Sequence, residues 1–537
     1  MRLALLLSLG FAAVLLSQAP AAGGRYEHLV ALFREWREFQ KPRVADGVPD
    51  YTPAAMAAQR GRLPDFQRRL QAIDPKGWPV AHEVDWHLVR AEMKGLDFDH
   101  RMLRPWSRHP GFYIPIIPEQ SDTPVKEGPA FVGALELWRH SFPLPGAEVA
   151  AFRMKLRAIP RILEQARGNL VEDARDLWLI GIRRHKEQAA LLADLAERLA
   201  PHHPDLVRDV ESARQAEDSF RAWLESKLPE KRGPSGVGIE NYDWYLKNVH
   251  LSPYTWQDEV ALHERELGRS VAHLALEEHN NRALPALEPI ATAADWQRRL
   301  PEAVAAYVRF LREKQIVTVK DYMEPALLAR VGSFTPAAER DFFGQVDVRE
   351  PLLLRSHGYH WFDLARMGRE PHASPIRRAP LLYNIWDSRA EGLATAMEEM
   401  MASAGLYDDK PRSRELVYVM VAQRAARGLA GLKMHSNELP IGQAVRFAHE
   451  KTPHGWLKVD GDLVWGEQGL YLEQPGYGTC YLSGKAMIED LLGERARQLG
   501  PGFSLQRFMD DVNAAGMIPV SMIRWEMTGQ PPPPVAP

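Results

Sequence analysis

Apolar residues recur at intervals of three and four along most of this chain, and that periodicity constrains the fold more than any other feature. Tyr26, Leu29, Val30, Phe33 and Trp36 keep the spacing inside a segment otherwise rich in Glu and Arg. On an α-helix, positions three and four apart share a face, so each such segment has one apolar stripe to bury. The pattern returns at 147–169, 206–228, 293–314, 412–436 and 481–498. Thr255-Trp256-Gln257-Asp258 predicts the start of another helix over 255–280, because Thr and Asp three apart can exchange capping bonds. Strand-like alternation is scarce. Its best instance is Trp456 to Trp465, where Asp460-Gly461 would turn a small hairpin. The expected fold is mostly α: a large helical two-lobed fold with a central cleft and at most a minor β-hairpin.

Pro-rich stretches at 105–118, 229–238 and 371–380 read as loops. The middle one is the expected join between an N-terminal helical lobe over 22–230 and a C-terminal helical lobe over 239–529. The closing segment 530–537 is Pro-rich and expected to be extended and disordered. The first 21 residues read as targeting rather than fold. Arg2 precedes an apolar run from Leu3 to Leu16, and Ser17-Gln18-Ala19-Pro20-Ala21 offers a small-residue cleavage site. The run is too short for a stable membrane span, so it predicts a secretory signal peptide and an exported, periplasmic or extracellular protein. The one cysteine, Cys480, excludes an internal disulfide and any zinc site built on several cysteines. A net charge of −3 with no dominant basic face gives no ground for nucleic-acid binding.

Three segments invite metal chemistry. His82 and His87 are five apart, about 140° around a helix, so they do not share a face. His263-Glu264-Arg265-Glu266 has no second histidine at ligand spacing and reads as a charged helix face. His357 and His360 are three apart and can share a helical face. Glu391, on a later helix, would complete a three-ligand site with an open position for water. Asp363 would orient a histidine from behind. Tyr359, Trp361 and Phe362 equally fit a packed aromatic helix whose histidines are hydrogen-bonded in the core. Glu391 and Glu398, seven apart, share one face of the 389–400 helix, and a solvated face explains them as well. The residues alone leave these readings open.

From Glu391 onward the chain resembles the bacterial family known as domain of unknown function 885. The motifs, in order, are Glu391-Gly392-Leu393-Ala394 with Glu398 and Gly405-Leu406-Tyr407; Arg424-Ala425-Ala426-Arg427 on a helix ending at His435; Glu467, Tyr471, Pro475-Gly476, Tyr481 and Gly484; and Phe508-Met509-Asp510 with Gly516 to Pro519. The resemblance implies an exported, mostly helical, metallopeptidase-like protein acting on a peptide or small-molecule substrate. It implies zinc held by His357, His360 and Glu391, Glu398 as the candidate base, and His435 stabilising the developing oxyanion. Departures accompany it. The family's leading His-Glu pair falls on Leu353-Leu354, and polar family positions become Gly431, Leu470, Tyr477 and Met509. Turn-forming Gly and Pro mostly persist. That pattern fits a kept fold with an eroded or rewired site. The alternative is a non-catalytic exported helical protein that binds a peptide or cell-envelope ligand. The exported chain should begin near Ala22, which intact-mass measurement would show; retention of Met1 to Leu16 would refute the signal peptide.

Overall fold

The apolar stripes become buried helix faces. The protein is described here by a computed structural model covering residues 25–124 and 133–532; the expected signal peptide and the last five residues of the Pro-rich tail lie outside the described residues. Helix α1 (Tyr26–Phe39) buries Leu29, Val30, Leu32, Phe33 and Trp36, the stripe its sequence carries. α2 (Pro53–Gln71) starts behind the Thr52 cap with Pro at its first position, where no backbone N–H is missed. α3 (Val80–Phe98) follows, then α4 (Gly146–Asn169), α5 (Arg175–Leu199) and α6 (Pro204–Lys227). Beyond the Pro-rich loop come α7 (Trp256–Asn280), opened by the Thr255–Asp258 capping box, and α8 (Ala293–Glu313).

Two cores result. The smaller one joins Tyr51 and Met56 to apolar residues between Phe112 and Leu224. The larger one joins α1 to α3 with most of the chain from Val237 onward. Core membership therefore changes after α3 and again across the 229–238 loop. Between the two runs a cleft of about 1760 Å³, lined by Ile116, Trp138 and Glu187 on one side and Trp361, Trp456 and Glu467 on the other.

The fold is mostly α. Among the described residues, strands are confined to β1 (Val44–Ala45) with β2 (Val48–Pro49), antiparallel, and β3 (Ile116–Ile117) with β4 (Leu135–Glu136), parallel. The hairpin expected at Trp456 to Trp465 does not form. Gly461 has φ −73°, whereas a tight Asp-Gly hairpin turn needs positive φ. Gly461 instead precedes a helix over Asp462–Glu473, which buries Val464.

The helices nearest the candidate site are α9 (Pro351–His357), α10 (Tyr359–Arg369), α11 (Asp387–Ser403), α12 (Ser413–His435), α13 (Asp462–Glu473) and α14 (Tyr477–Leu499). α11 is buried on nearly every side through Met397. Its contact with α14 is backbone on backbone, since a Cβ on Gly392 would come within 2.5 Å of Gly484 Cα. A side chain there forces the helices apart. Gly392→Ala and Gly484→Ala should each destabilise the protein by about 1–3 kcal/mol in urea unfolding, despite alanine's better helix propensity. Unchanged or higher stability would show that the contact yields freely.

Candidate metal centre

His357 and His360 were expected on one helix; the structure places them on two. α9 ends at His357, and Gly358, with ψ 10°, leaves helical geometry before α10 begins at Tyr359. Glycine weakens a helix at that point because its backbone is the least restrained. The break still turns both imidazoles toward one point. Their ring centroids are 5.0 Å apart and nearly perpendicular. Glu391 reaches in from α11. Its Oε2 lies 3.1 Å from His360 Nε2 and 4.0 Å from His357 Nε2. One donor atom from each of the three lies within 4.8 Å of the others. A tetrahedral zinc with bonds of about 2.0–2.1 Å spaces its ligand atoms about 3.4 Å apart. The three need small movements to meet that geometry, and their nitrogen and oxygen donors suit zinc.

Glu391 and His357 are each held from behind. Tyr477, at the start of α14, donates its hydroxyl to Glu391 Oε1 at 2.5 Å. His357 Nδ1 lies 3.2 Å from Glu398 Oε1 and 3.1 Å from Arg424 Nη2. A guanidinium only donates and a carboxylate only accepts, so the two neighbours of Nδ1 favour opposite tautomers of His357. Donation from Nδ1 to Glu398 leaves a lone pair on Nε2, the tautomer that a metal ligand through Nε2 requires. Donation from Arg424 to Nδ1 puts the proton on Nε2 instead.

Glu398 stands beside His357, but its charge is already engaged. Arg424 binds both its oxygens, at 2.8 and 2.7 Å. Burial alone would raise its carboxyl; Arg424, then His357, hold it below the ordinary glutamate range. In this geometry it orients His357 rather than facing an open position. Asp363 is taken up by Arg389, with two contacts of 3.0 Å, and by Arg366. His435 is not brought into the triad. Its Nε2 donates to the Tyr471 carbonyl at 2.9 Å, and burial lowers its pKa to about 4. A neutral ring protonated on Nε2 has no second N–H for an oxyanion. The residues missed in the sequence are Tyr477 and Arg424. The signal for Arg424 was its place in the Arg424–Arg427 motif; nothing local marks Tyr477.

Neither acid belongs to a solvated face: Glu391 is 2% exposed and Glu398 is fully buried. Burial would lower the His360 pKa, but Glu391 overrides it by charge and hydrogen bond and pushes it up to about 9. Burial likewise opposes ionisation of Glu391, yet His360, His357 and the Tyr477 hydroxyl hold that carboxyl well below its usual range. Without metal, the two form a buried ion pair.

Residues 360–527 match the model of a family described as "Bacterial protein of unknown function (DUF885)". The match runs from α10 to the last helix, so the likeness is to this segment of the chain. No curated protein matches the chain. Two solved structures share the fold. One, described as "a putative lipoprotein of unknown function from Shewanella oneidensis", is 15% identical with a TM-score of 0.68, over 94% of this chain and 100% of that one. The other, "the putative lipoprotein from Colwellia psychrerythraea", is 13% identical with a TM-score of 0.66, over 94% and 98%.

The ion pair has a measurable consequence. His360 is raised in the folded state, so its stabilisation is whole below the unfolded value of 6.5 and is lost as pH rises through about 9. Metal-free protein should therefore lose stability over that window, and zinc should flatten the loss. A metal ligand must be neutral, so zinc binding at pH 7 should release about one proton. Calorimetry in buffers of different ionisation enthalpy measures this; no release would exclude His360 as a ligand.

Proposed function

We propose that the protein is an exported metal-dependent hydrolase, acting on peptides and using zinc. The observation that supports this reading most is the convergence of His357, His360 and Glu391, with the second oxygen of Glu391 held by Tyr477. The inter-lobe cleft adjoins the site, since Trp361 and Leu364 of α10 line it. The His357 side chain keeps 18% exposure, the largest of the three. Zinc there would polarise the scissile carbonyl and make water more acidic.

The chain's own contributions follow from its contacts. Glu398, fixed by Arg424, stands 3.2 Å from His357 Nδ1 and orients that ring. Tyr477 fixes the rotamer of Glu391. Trp361 and Leu364 put α10 on the wall of that cleft. Export rests on the pattern of residues 1–21, and the description of both solved structures as lipoproteins agrees with it. No helix among the described residues is long and apolar enough to cross a membrane.

One observation favours the non-catalytic alternative. His360 and Glu391 already satisfy each other as an ion pair, so the site can close without metal. Metal analysis decides between the two. The wild-type chain should hold about one zinc, and His360→Ala and Glu391→Ala should each abolish bound zinc and peptide cleavage without changing helix content. Equal zinc in both variants would place the metal elsewhere, and a wild-type chain that binds none would favour the ligand-binding reading.

A further inference from the structure

Helix α10 is a wall between two cavities. Trp361 and Leu364 face the inter-lobe cleft. Asp363, Arg366, Met367 and Glu370, on the opposite face of the helix, line a second cavity of about 480 Å³. That volume suits a small molecule. No member of the triad lines it.

Cations dominate this lining. Lys320, Arg366, Arg377, Arg378 and Arg389 share it with three carboxylates, Asp363, Glu370 and Asp510. Arg377 is committed to Asp85 and Glu526, which lie outside the cavity. The remaining four cations still outnumber the carboxylates. Lys320 and Glu370 pair loosely at 3.6 Å, and Asp510 is bonded by Thr318. Arg366 and Arg389 converge on one oxygen: Asp363 Oδ1 accepts from the first at 2.5 Å and from the second at 3.0 Å. One buried carboxylate thus serves two guanidiniums. Arg389 is 1% exposed, and its Nε has no hydrogen-bond partner among the described residues. Arg378 donates to the main-chain carbonyls of His372 and Ala373 and forms no ion pair among the described residues. A buried network of ions closed on itself would match each guanidinium with an acid. Here the shortfall of negative charge opens onto a cavity.

We propose that this cavity binds a small anionic molecule, one that presents phosphate or paired carboxylate oxygens to Arg366, Arg378 and Arg389. A guanidinium left short of a counter-ion in the interior is costly, and an anion sharing Arg366 and Arg389 with Asp363 removes that cost. The planar forks of arginine match phosphate and carboxylate oxygens two at a time. Met367, Ala514 and Met517 add apolar surface to the lining, which suits a ligand with a short carbon skeleton. The site stands apart from the metal centre and does not rest on the hydrolase reading.

Calorimetry on the full exported chain at low salt tests this, with inorganic phosphate and citrate as separate probes. At least one should bind at a single site. Binding of phosphate alone marks a phosphate-bearing ligand, and binding of citrate alone marks a carboxylate; either supports the proposal. Arg366→Gln and Arg378→Gln should each weaken binding about tenfold, the usual loss of a charged hydrogen bond. Arg378 is exposed, so its variant carries the test even where Arg366→Gln fails to fold. Glu370→Gln should strengthen binding, because a competing negative charge is gone. Arg369→Gln, on the same helix but outside the lining, should leave the affinity unchanged. Binding of neither probe, or an equal loss in Arg369→Gln and Arg378→Gln, would overturn the proposal. Crystals soaked in tungstate give a second readout: the heavy anion should sit against Arg366 and Arg389, and density for it only elsewhere would overturn the placement.

Discussion

A helix buried on nearly every side carries two ionised carboxylates, and the region around it is arranged to keep them charged. Taking a carboxylate out of water costs several kcal/mol unless a partner and hydrogen bonds replace the solvent. Glu398 gets the Arg424 guanidinium and Glu391 gets His360, with Tyr477 on its other oxygen. Three neighbouring elements, α10, α12 and α14, each present a donor to α11. Removing one donor would leave a charge stranded in the interior, so the positions of these helices are coupled through their side chains as well as their packing.

Close approach makes those contacts reachable. Gly392 and Gly484 let α11 and α14 touch backbone to backbone, and that brings Tyr477 within hydrogen-bond distance of Glu391. The neighbouring Arg427 continues the pattern on α12. Its guanidinium pairs with Glu467 on α13 and lies 5.4 Å from the Tyr481 ring centroid. Glu467 in turn lines the cleft. Polar groups thus run from the centre of the larger core to the surface where a ligand would enter.

The helical nature of the fold was readable from spacing alone, because burying one face of a helix leaves a period of three and four in the residues themselves. The convergence of His357, His360 and Glu391 was readable in part, since two of them are close in sequence and the third lies on a recognisable helix. What failed depended on geometry that no local pattern records. Asp460-Gly461 looked like a hairpin turn, but Gly461 keeps a negative φ and leads into a helix. Gly358 interrupts the histidine helix although the ring directions survive. Glu398 looked like a free base, and only the approach of α12 shows that Arg424 occupies it. His435 carries a ring nitrogen that serves a main-chain carbonyl thirty-six residues away.

The larger core is assembled from the two ends of the chain. Asp85 on α3 and Glu526 on the last helix, Val520–Thr528, both bind Arg377, whose side chain is almost wholly buried. The first hundred residues therefore cannot finish their packing until the final helix has arrived. Contacts so far apart in sequence slow folding, because a long loop must close before they contribute.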